Sequence, residues 1–151
     1  MDVTGVVVVN PANKVHGASA HALPVLRHLV RTTRGVTGDI AKGGVEVGYD
    51  RVPLHAAHSL RNFHRLVDGE LPQVTQPLLL LRSAHDHVVP TADSARILSR
   101  VSSTDVSEVV LEQSCHVATL DHDANRIFEE SLGFIDRLRM GAGKEGTTAR
   151  G

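Results

Sequence analysis

The sequence predicts an α/β fold in which about three parallel strands alternate with flanking helices. Two observations carry this prediction. Continuously apolar runs, "GVVVV" from Gly5 and "PLLLL" from Pro77, are typical of strands buried on both faces of a parallel sheet. Segments with helical spacing of apolar residues separate these runs, which implies right-handed crossover connections. The 151 residues are enough for one domain with its own core.

Composition excludes several classes of protein. The formal net charge of -1 argues against a partner that is a nucleic acid or an anionic membrane surface. The single cysteine, Cys115, excludes an internal disulfide and fits a reducing cytoplasm. The N-terminal apolar run stops at Val9, which is too short for a signal peptide or a stable membrane insertion. Ten histidines make metal binding a hypothesis to test.

The first half of the chain is predicted to contain a strand, two helices and a loop. Leu23, Leu26 and Leu29 have near-helical spacing, and Pro24 suits the first turn of a helix. Five glycines between residues 34 and 50 indicate a mobile loop. The predicted elements are a strand at 5–10, helices at 21–33 and 53–69, and a linker at 71–76.

The second half is more regular. Thr91 is predicted to cap a helix with Ala95, Leu98 and Val101 facing inward. The predicted elements are a strand at 77–83, a helix from 91 to about 101, a strand at 107–112, a helix from 121 to about 139, and a disordered tail at 141–151. The last helix has an apolar stripe of Ala124, Ile127, Phe128, Ser131, Phe134, Ile135 and Leu138.

Two polar clusters follow neighbouring strands of the predicted sheet. The first runs from Ser83 to Asp86, and the second contains His116. Ligands bind outside the carboxyl ends of strands in open parallel sheets, so Asp86 and His116 are expected to meet. An acid that orients a histidine is the acid–base half of a nucleophilic triad.

The segments "PLLLLRSAHDHVVPTADSARIL" and "VVLEQSCHVATLDHDANRIFEESLGFIDRL" resemble the C-terminal part of an α/β-hydrolase. The similarity is greatest to bacterial carboxylesterases and monoacylglycerol-lipase-like hydrolases. The resemblance implies that Asp86 is the triad acid, that His116 is the base, and that a small-molecule ester is the substrate with no cofactor. It also implies that residues of about 20–70 form a cap whose apolar walls are Leu23, Leu26, Leu29, Leu60 and Phe63.

The sequence departs from the family pattern at two places. Cys115 stands where the family has a glycine before the histidine. No Gly-x-Ser-x-Gly elbow precedes Asp86, and "GASAH" at 17–21 lacks the last glycine. We therefore expect a truncated, nearly inactive C-terminal half. If this chain does hydrolyse esters, Ser19, Ser83 and Cys115 are the candidate nucleophiles.

The missing half has a physical consequence. The strand at 5–10 is expected to leave one apolar edge unpaired. We expect poor solubility or self-association unless an N-terminal half pairs with this edge.

Two other functions remain open. The first is a non-catalytic interaction or complementation module that uses the bare edge strand. The second is a histidine-rich metal-binding domain, because His85 and His87 flank Asp86. No third ligand stands at a metal-site spacing, so the site prediction includes no metal.

Overall fold

The computed structural model describes residues 3–16, 19–35 and 38–148. Two 3₁₀ turns lie at Leu71–Gln73 and Ala118–Leu120. In chain order the strands and helices are β1 (Val6–Val9), α1 (Ser19–Leu29), β2 (Thr32–Arg34), β3 (Arg51–Pro53), α2 (Leu54–Glu70), β4 (Leu78–Ser83), α3 (Thr91–Arg100), β5 (Val106–Leu111) and α4 (Ala124–Thr148).

Strands β1, β4 and β5 form one parallel sheet in the order β1-β4-β5. Val9 pairs with Leu81 of β4, and Ser83 at the end of β4 pairs with Leu111 at the end of β5. The carboxyl ends of all three strands therefore reach the same edge of the sheet. This arrangement confirms the predicted partial α/β fold.

The strand β4 is the centre of the core because it is covered on both faces. Leu79 and Leu81 belong to one buried cluster with Ile127 and Phe134 of α4. The alternate residues of the strand face the opposite side, where α3 lies against β4. Full burial of each such side chain contributes roughly 1.5–3 kcal/mol. An unbroken run of leucines is the pattern that two covered faces require.

Residues between β1 and β4 form a unit outside the three-stranded sheet. Helices α1 and α2 pack on each other, and β2 and β3 form a separate antiparallel pair. The predicted helix at 21–33 was too long, since Thr32 and Thr33 belong to β2. Both residues are β-branched, a type that favours strands over helices. Pro24 lies inside α1 and not in its first turn, because the helix begins at Ser19.

Helix α3 buries polar side chains. Asp93 and Ser94 are buried, whereas Ala95 is exposed, so the prediction that Ala95 faces inward was wrong. The buried Asp93 carboxylate accepts hydrogen bonds from residues of the loop after β1, and these fix the orientation of the helix. Thr91 does not cap the helix; Pro90 occupies the N-cap position without a side-chain bond.

Helix α4 is longer and less buried than the sequence predicted. Ile127 and Phe134 are buried, but Phe128 and Ile135 of the predicted stripe are exposed. The helix extends to Thr148, beyond the predicted end near residue 139 and into the tail that was predicted to be disordered. Extension of an anchored helix avoids the cost of nucleation. Residues 149–151 lie outside the described residues.

The described helices do not have the character of membrane spans. None of them combines the length and the apolar character that a membrane-spanning helix needs.

Candidate active site

Asp86 and His116 meet at the carboxyl edge of the sheet. Asp86 lies in the turn after β4, and His116 lies in the loop after β5. His116 Nδ1 is 2.9 Å from Asp86 Oδ2. The Asp86 side chain is 6% exposed and that of His116 is 31% exposed, so the acid is buried behind an accessible imidazole.

The two oxygens of Asp86 have separate partners. Oδ1 accepts hydrogen bonds from the backbone N–H groups of Val88, at 2.8 Å, and Val89, at 2.7 Å. The other oxygen, Oδ2, is therefore free to contact the imidazole of His116. A carboxylate fixed in this way holds the proton of His116 on Nδ1 and leaves Nε2 free to act as a base. No described residue forms a hydrogen bond with His116 Nε2.

The backbone of His116 is held on both sides of the residue. Its N–H donates to Asp39 Oδ2 at 2.9 Å, and its carbonyl oxygen accepts from Asn10 Nδ2 at 2.7 Å. Neither partner was identified from the sequence. The position of the imidazole therefore depends on the strand β1 and on the glycine-rich loop as well as on Asp86.

Asn10 connects the ends of all three parallel strands. Its Nδ2 also donates to Ser83 Oγ, and its Oδ1 accepts from Ser83 N–H at 2.7 Å. Ser83 Oγ in turn donates to the carbonyl of Cys115 at 2.8 Å. Asn10 has a φ of 46°, a left-handed conformation that asparagine tolerates better than most residues. In the sequence, this role of Asn10 is indicated by its position directly after an apolar strand.

Asp121 orders the loop that carries the histidine. Its carboxylate is buried and accepts backbone N–H bonds from Cys115, Ala41, Lys42 and His122 at 2.7–3.0 Å. Burial alone would raise the pKa of Asp121, but these four donors hold that pKa at about 2. The acid therefore stays ionised and ties residues 41 and 42 of the glycine-rich loop to the histidine loop. The predicted mobile loop is fixed at this point.

Asp39, His87 and Cys115 form a second polar group beside His116. Asp39 Oδ1 is 2.8 Å from His87 Nδ1, and one potential ligand atom from each residue lies within 4.8 Å of the other two. The spacing along the chain gave no signal for this group. Burial, together with the nearby Asp39 and Asp121 carboxylates, raises the pKa of the Cys115 thiol. The raised pKa favours the protonated thiol, and a metal ion at this group would have to displace that proton.

The three candidate nucleophiles named from the sequence, Ser19, Ser83 and Cys115, differ in their surroundings. Ser83 Oγ is buried and engaged by Asn10 and the Cys115 carbonyl, so it serves the structure. Cys115 is buried with a raised pKa, the opposite of an activated thiol. Ser19 begins α1, and its side chain lies outside the described part of the structure.

The predicted acyl-binding residues lie on the α1–α2 unit. Leu23 is buried and Leu26 half-buried, whereas Leu29, Leu60 and Phe63 are exposed. The cavity beside His116 has a volume of about 250 Å³ and contains none of these five side chains. It is lined by Val9, Asn10, Glu46, His116, Val117, Ala118 and Thr119.

Comparison with known proteins places this arrangement in context. The chain is 31% identical over 135 residues to a thermostable monoacylglycerol lipase of Bacillus sp. (strain H-257), which covers 89% of this chain and 54% of the relative. It is 22% identical over 90 residues to a carboxylesterase of Bacillus subtilis (strain 168), covering 60% of this chain and 37% of the relative. No family model matches the chain.

A solved structure gives the same result. It comes from work on two metagenome-derived lipolytic enzymes and superimposes with a TM-score of 0.83 at 32% identity. The match covers 89% of this chain and 55% of that structure. The chain thus spans about half the length of the first curated relative and of this structure.

Proposed function

We propose that this chain, which corresponds to a C-terminal part of the α/β-hydrolase fold, supplies the acid and base of a carboxylic ester hydrolase. The proposal is supported by the similarity to bacterial monoacylglycerol lipase and carboxylesterase. The observation that carries the proposal is the contact between His116 Nδ1 and Asp86 Oδ2 at 2.9 Å, with the other Asp86 oxygen held by two backbone N–H groups. The natural substrate is a small-molecule ester.

The proposed reaction follows an acyl-enzyme route. A serine outside these 151 residues attacks the ester carbonyl while His116 Nε2 accepts its proton. The tetrahedral intermediate collapses, and the same nitrogen returns the proton to the leaving alcohol. A water molecule then transfers a proton to His116 and attacks the acyl-enzyme. The imidazolium returns this proton to the serine oxygen as the carboxylic acid leaves. Asp86 orients the imidazole and stabilises the imidazolium throughout.

The backbone contacts of His116 support this role. A general base must keep its geometry through all four proton transfers of this route, and small displacements lower the rate steeply. Asn10 and Asp39 hold the residue from opposite sides of the peptide. Asn10 and Asp39 are therefore positioning residues for the base.

The α1–α2 unit is proposed as the cap over the acyl chain. Leu23, Leu26 and Leu29 on α1 and Leu60 and Phe63 on α2 provide apolar surface that is partly exposed to solvent. An acyl chain that covers this surface gains about 0.8 kcal/mol per buried CH₂ group. The cytoplasm remains the expected compartment, since the single thiol fits a reducing environment.

The test is hydrolysis of p-nitrophenyl butyrate. The 151-residue chain is compared with a version extended upstream to include a Gly-x-Ser-x-Gly elbow. We expect turnover only from the extended protein, because the nucleophile and the oxyanion hole act together with His116. In the extended protein, His116→Ala should abolish activity, and Asp86→Asn should lower kcat about 10⁴-fold through loss of the correct tautomer.

His85→Ala is the matched control, because His85 is an exposed turn residue next to Asp86 that forms no side-chain hydrogen bond with another described residue. Its activity should stay within about twofold of the unsubstituted protein, as expected of an exposed substitution outside the site. Enzymatic turnover by the 151-residue chain itself would refute the absence of a nucleophile. Full activity of the extended Asp86→Asn protein would refute the acid–base assignment.

A further inference from the structure

A second cavity lies away from the Asp86–His116 pair. It has a volume of about 510 Å³ and is lined by the loop after β1, by α1 and α2, and by Arg96 of α3. Volumes of 300–1,000 Å³ are typical of sites for small molecules. Neither Asp86 nor His116 lines it, so it is distinct from the proposed ester site.

The lining of this cavity is strongly basic. It includes Lys14, Arg61, Arg65 and Arg96, and its one acidic residue is Asp68. The net charge of the whole chain is only -1, so the positive charge is a local feature. Convergent cations in a concave, partly desolvated site concentrate field lines and attract anions.

Three of the four cations have no carboxylate partner. Arg96 forms a bidentate pair with Asp68, with both N–O distances at 2.7 Å. Lys14, Arg61 and Arg65 form no ion pair with any residue that the structure describes. Because Asp68 is already occupied by Arg96, it does not neutralise these three side chains.

Two buried polar atoms of the lining also lack a partner. They are Asn13 Oδ1 and His64 Nδ1, on side chains that line the cavity from different elements. Asn13 is 5% exposed, and its other polar groups are used, since its N–H donates to Asp93 and its Nδ2 to Asp68. A buried polar atom without a partner costs about 1–3 kcal/mol, so the lining contains two unsatisfied polar atoms, both inaccessible to solvent in this conformation.

His16 is held at the same cavity by a buried acid. Its Nε2 is 2.8 Å from Asp93 Oδ2, and Asp93 is 1% exposed. Because a carboxylate oxygen accepts, the contact with Asp93 places a proton on Nε2 and fixes the orientation of the ring. The loop after β1 is therefore pre-organised around the cavity before any ligand arrives.

We propose that this cavity binds a small phosphate monoester. Its oxygens would accept hydrogen bonds from Arg61, Arg65 and Lys14, the three cations of the lining that have no carboxylate partner. Arginine binds phosphate through its planar fork, and the dianion matches the excess of cations better than a single carboxylate does. No phosphate loop is needed, because side chains supply the donors.

The test is isothermal titration calorimetry on the 151-residue chain at constant ionic strength. The probes are inorganic phosphate, glycerol 3-phosphate and succinate, with chloride as the background anion. We expect saturable binding of both phosphates and at least tenfold weaker binding of succinate. The double variant Arg61→Gln, Arg65→Gln should weaken phosphate binding at least tenfold.

The matched control is Arg31→Gln, Arg139→Gln, which removes the same charge from exposed residues outside the cavity. Its affinity should change less than twofold, because charges beyond about 8 Å are screened at physiological salt. Circular dichroism confirms that each variant is folded. Lys14→Gln removes the remaining unpaired cation of the lining at an exposed position. Equal weakening in the control, equal binding of succinate, or no saturation at millimolar phosphate would overturn the proposal.

Discussion

Asp121 shows how a single buried carboxylate organises a loop. An ionised group that leaves water must recover its hydration through hydrogen bonds, and four backbone N–H groups provide them. Two of the donors belong to residues 41 and 42, and one belongs to Cys115, next to the histidine. Loss of this charge would therefore free two chain segments together.

The stability contribution of Asp121 depends on pH. Its pKa is about 2 in the folded protein against an ordinary value of 3.8, so the stabilisation is present above pH 3.8 and is lost as pH falls through about 2. This difference corresponds to about 2 kcal/mol at neutral pH. In Asp121→Asn, the deficit in the free energy of unfolding should shrink by roughly 1 kcal/mol between pH 6 and pH 3.

Urea unfolding of the wild type and the variant at several pH values measures this deficit. Asp136→Asn is the control, since Asp136 is exposed on α4 and forms no hydrogen bond or ion pair within the described residues. A deficit for Asp121→Asn that does not change with pH would contradict the assignment.

At the level of single residues, the sequence predicted that Asp86 and His116 meet. Asp86 and His116 each follow an apolar strand, and parallel topology brings such positions to one edge. Asn10 and Asp39 are different, because their partners include backbone groups far along the chain. A polar residue that bonds to a remote backbone leaves no periodic or motif signal in the sequence.

The β2–β3 pair requires a glycine at one position. Gly35 follows β2, and its N–H donates to the Asp50 carbonyl at 2.8 Å. A Cβ at this position would lie 2.2 Å from the Tyr49 carbonyl oxygen, which belongs to the backbone and cannot move alone. The close approach of the two segments therefore depends on the missing side chain.

Gly35→Ala should loosen this pair and destabilise it by roughly 1–3 kcal/mol, the usual range for overpacking. Hydrogen exchange should become faster at Thr33 and Val52, the amides of the ladder. Gly69→Ala provides the contrast, because Gly69 lies in α2 with open space around it. Gly69→Ala should stabilise the protein by about 0.5–1 kcal/mol. Unchanged exchange at β2 and β3 in Gly35→Ala would refute the steric argument.

Element types were more predictable than element boundaries. The three parallel strands were predicted within a residue or two of their ends, because leucine and valine runs have sharp limits. The pair β2–β3 was missed because strands of three residues carry too little pattern. The buried face of α3 was predicted incorrectly. Asp93 lies on that face because its carboxylate accepts hydrogen bonds there, and a hydrophobicity pattern does not indicate such bonds.

The molecule as a whole has a sheet with two edge strands. In the described residues, β1 and β5 each have one hydrogen-bonded neighbour, β4. The strand β1 consists of four valines, whereas β5 carries Ser107 and Glu108. An apolar strand without charges is the more favourable template for pairing with another chain.

We expect the 151-residue chain to self-associate through β1. Val7→Lys places a charge on a half-exposed position of this strand and should shift the protein towards monomer. Val106→Lys, at a similarly exposed position of β5, should have little effect. Sedimentation velocity at several concentrations measures both variants. A monomeric wild-type chain at high concentration would contradict the expectation.

The connection between the glycine-rich loop and the histidine loop has a mechanical consequence. Asp39 accepts from the N–H groups of His116 and Val117, and residues 41 and 42 donate to Asp121. Residues 39–42 belong to the segment that joins β2 to β3 in the unit beside the sheet. Displacement of this segment would break these bonds together and would remove the support of the His116 backbone. The position of residues 39–42 and the placement of the His116 backbone are therefore coupled.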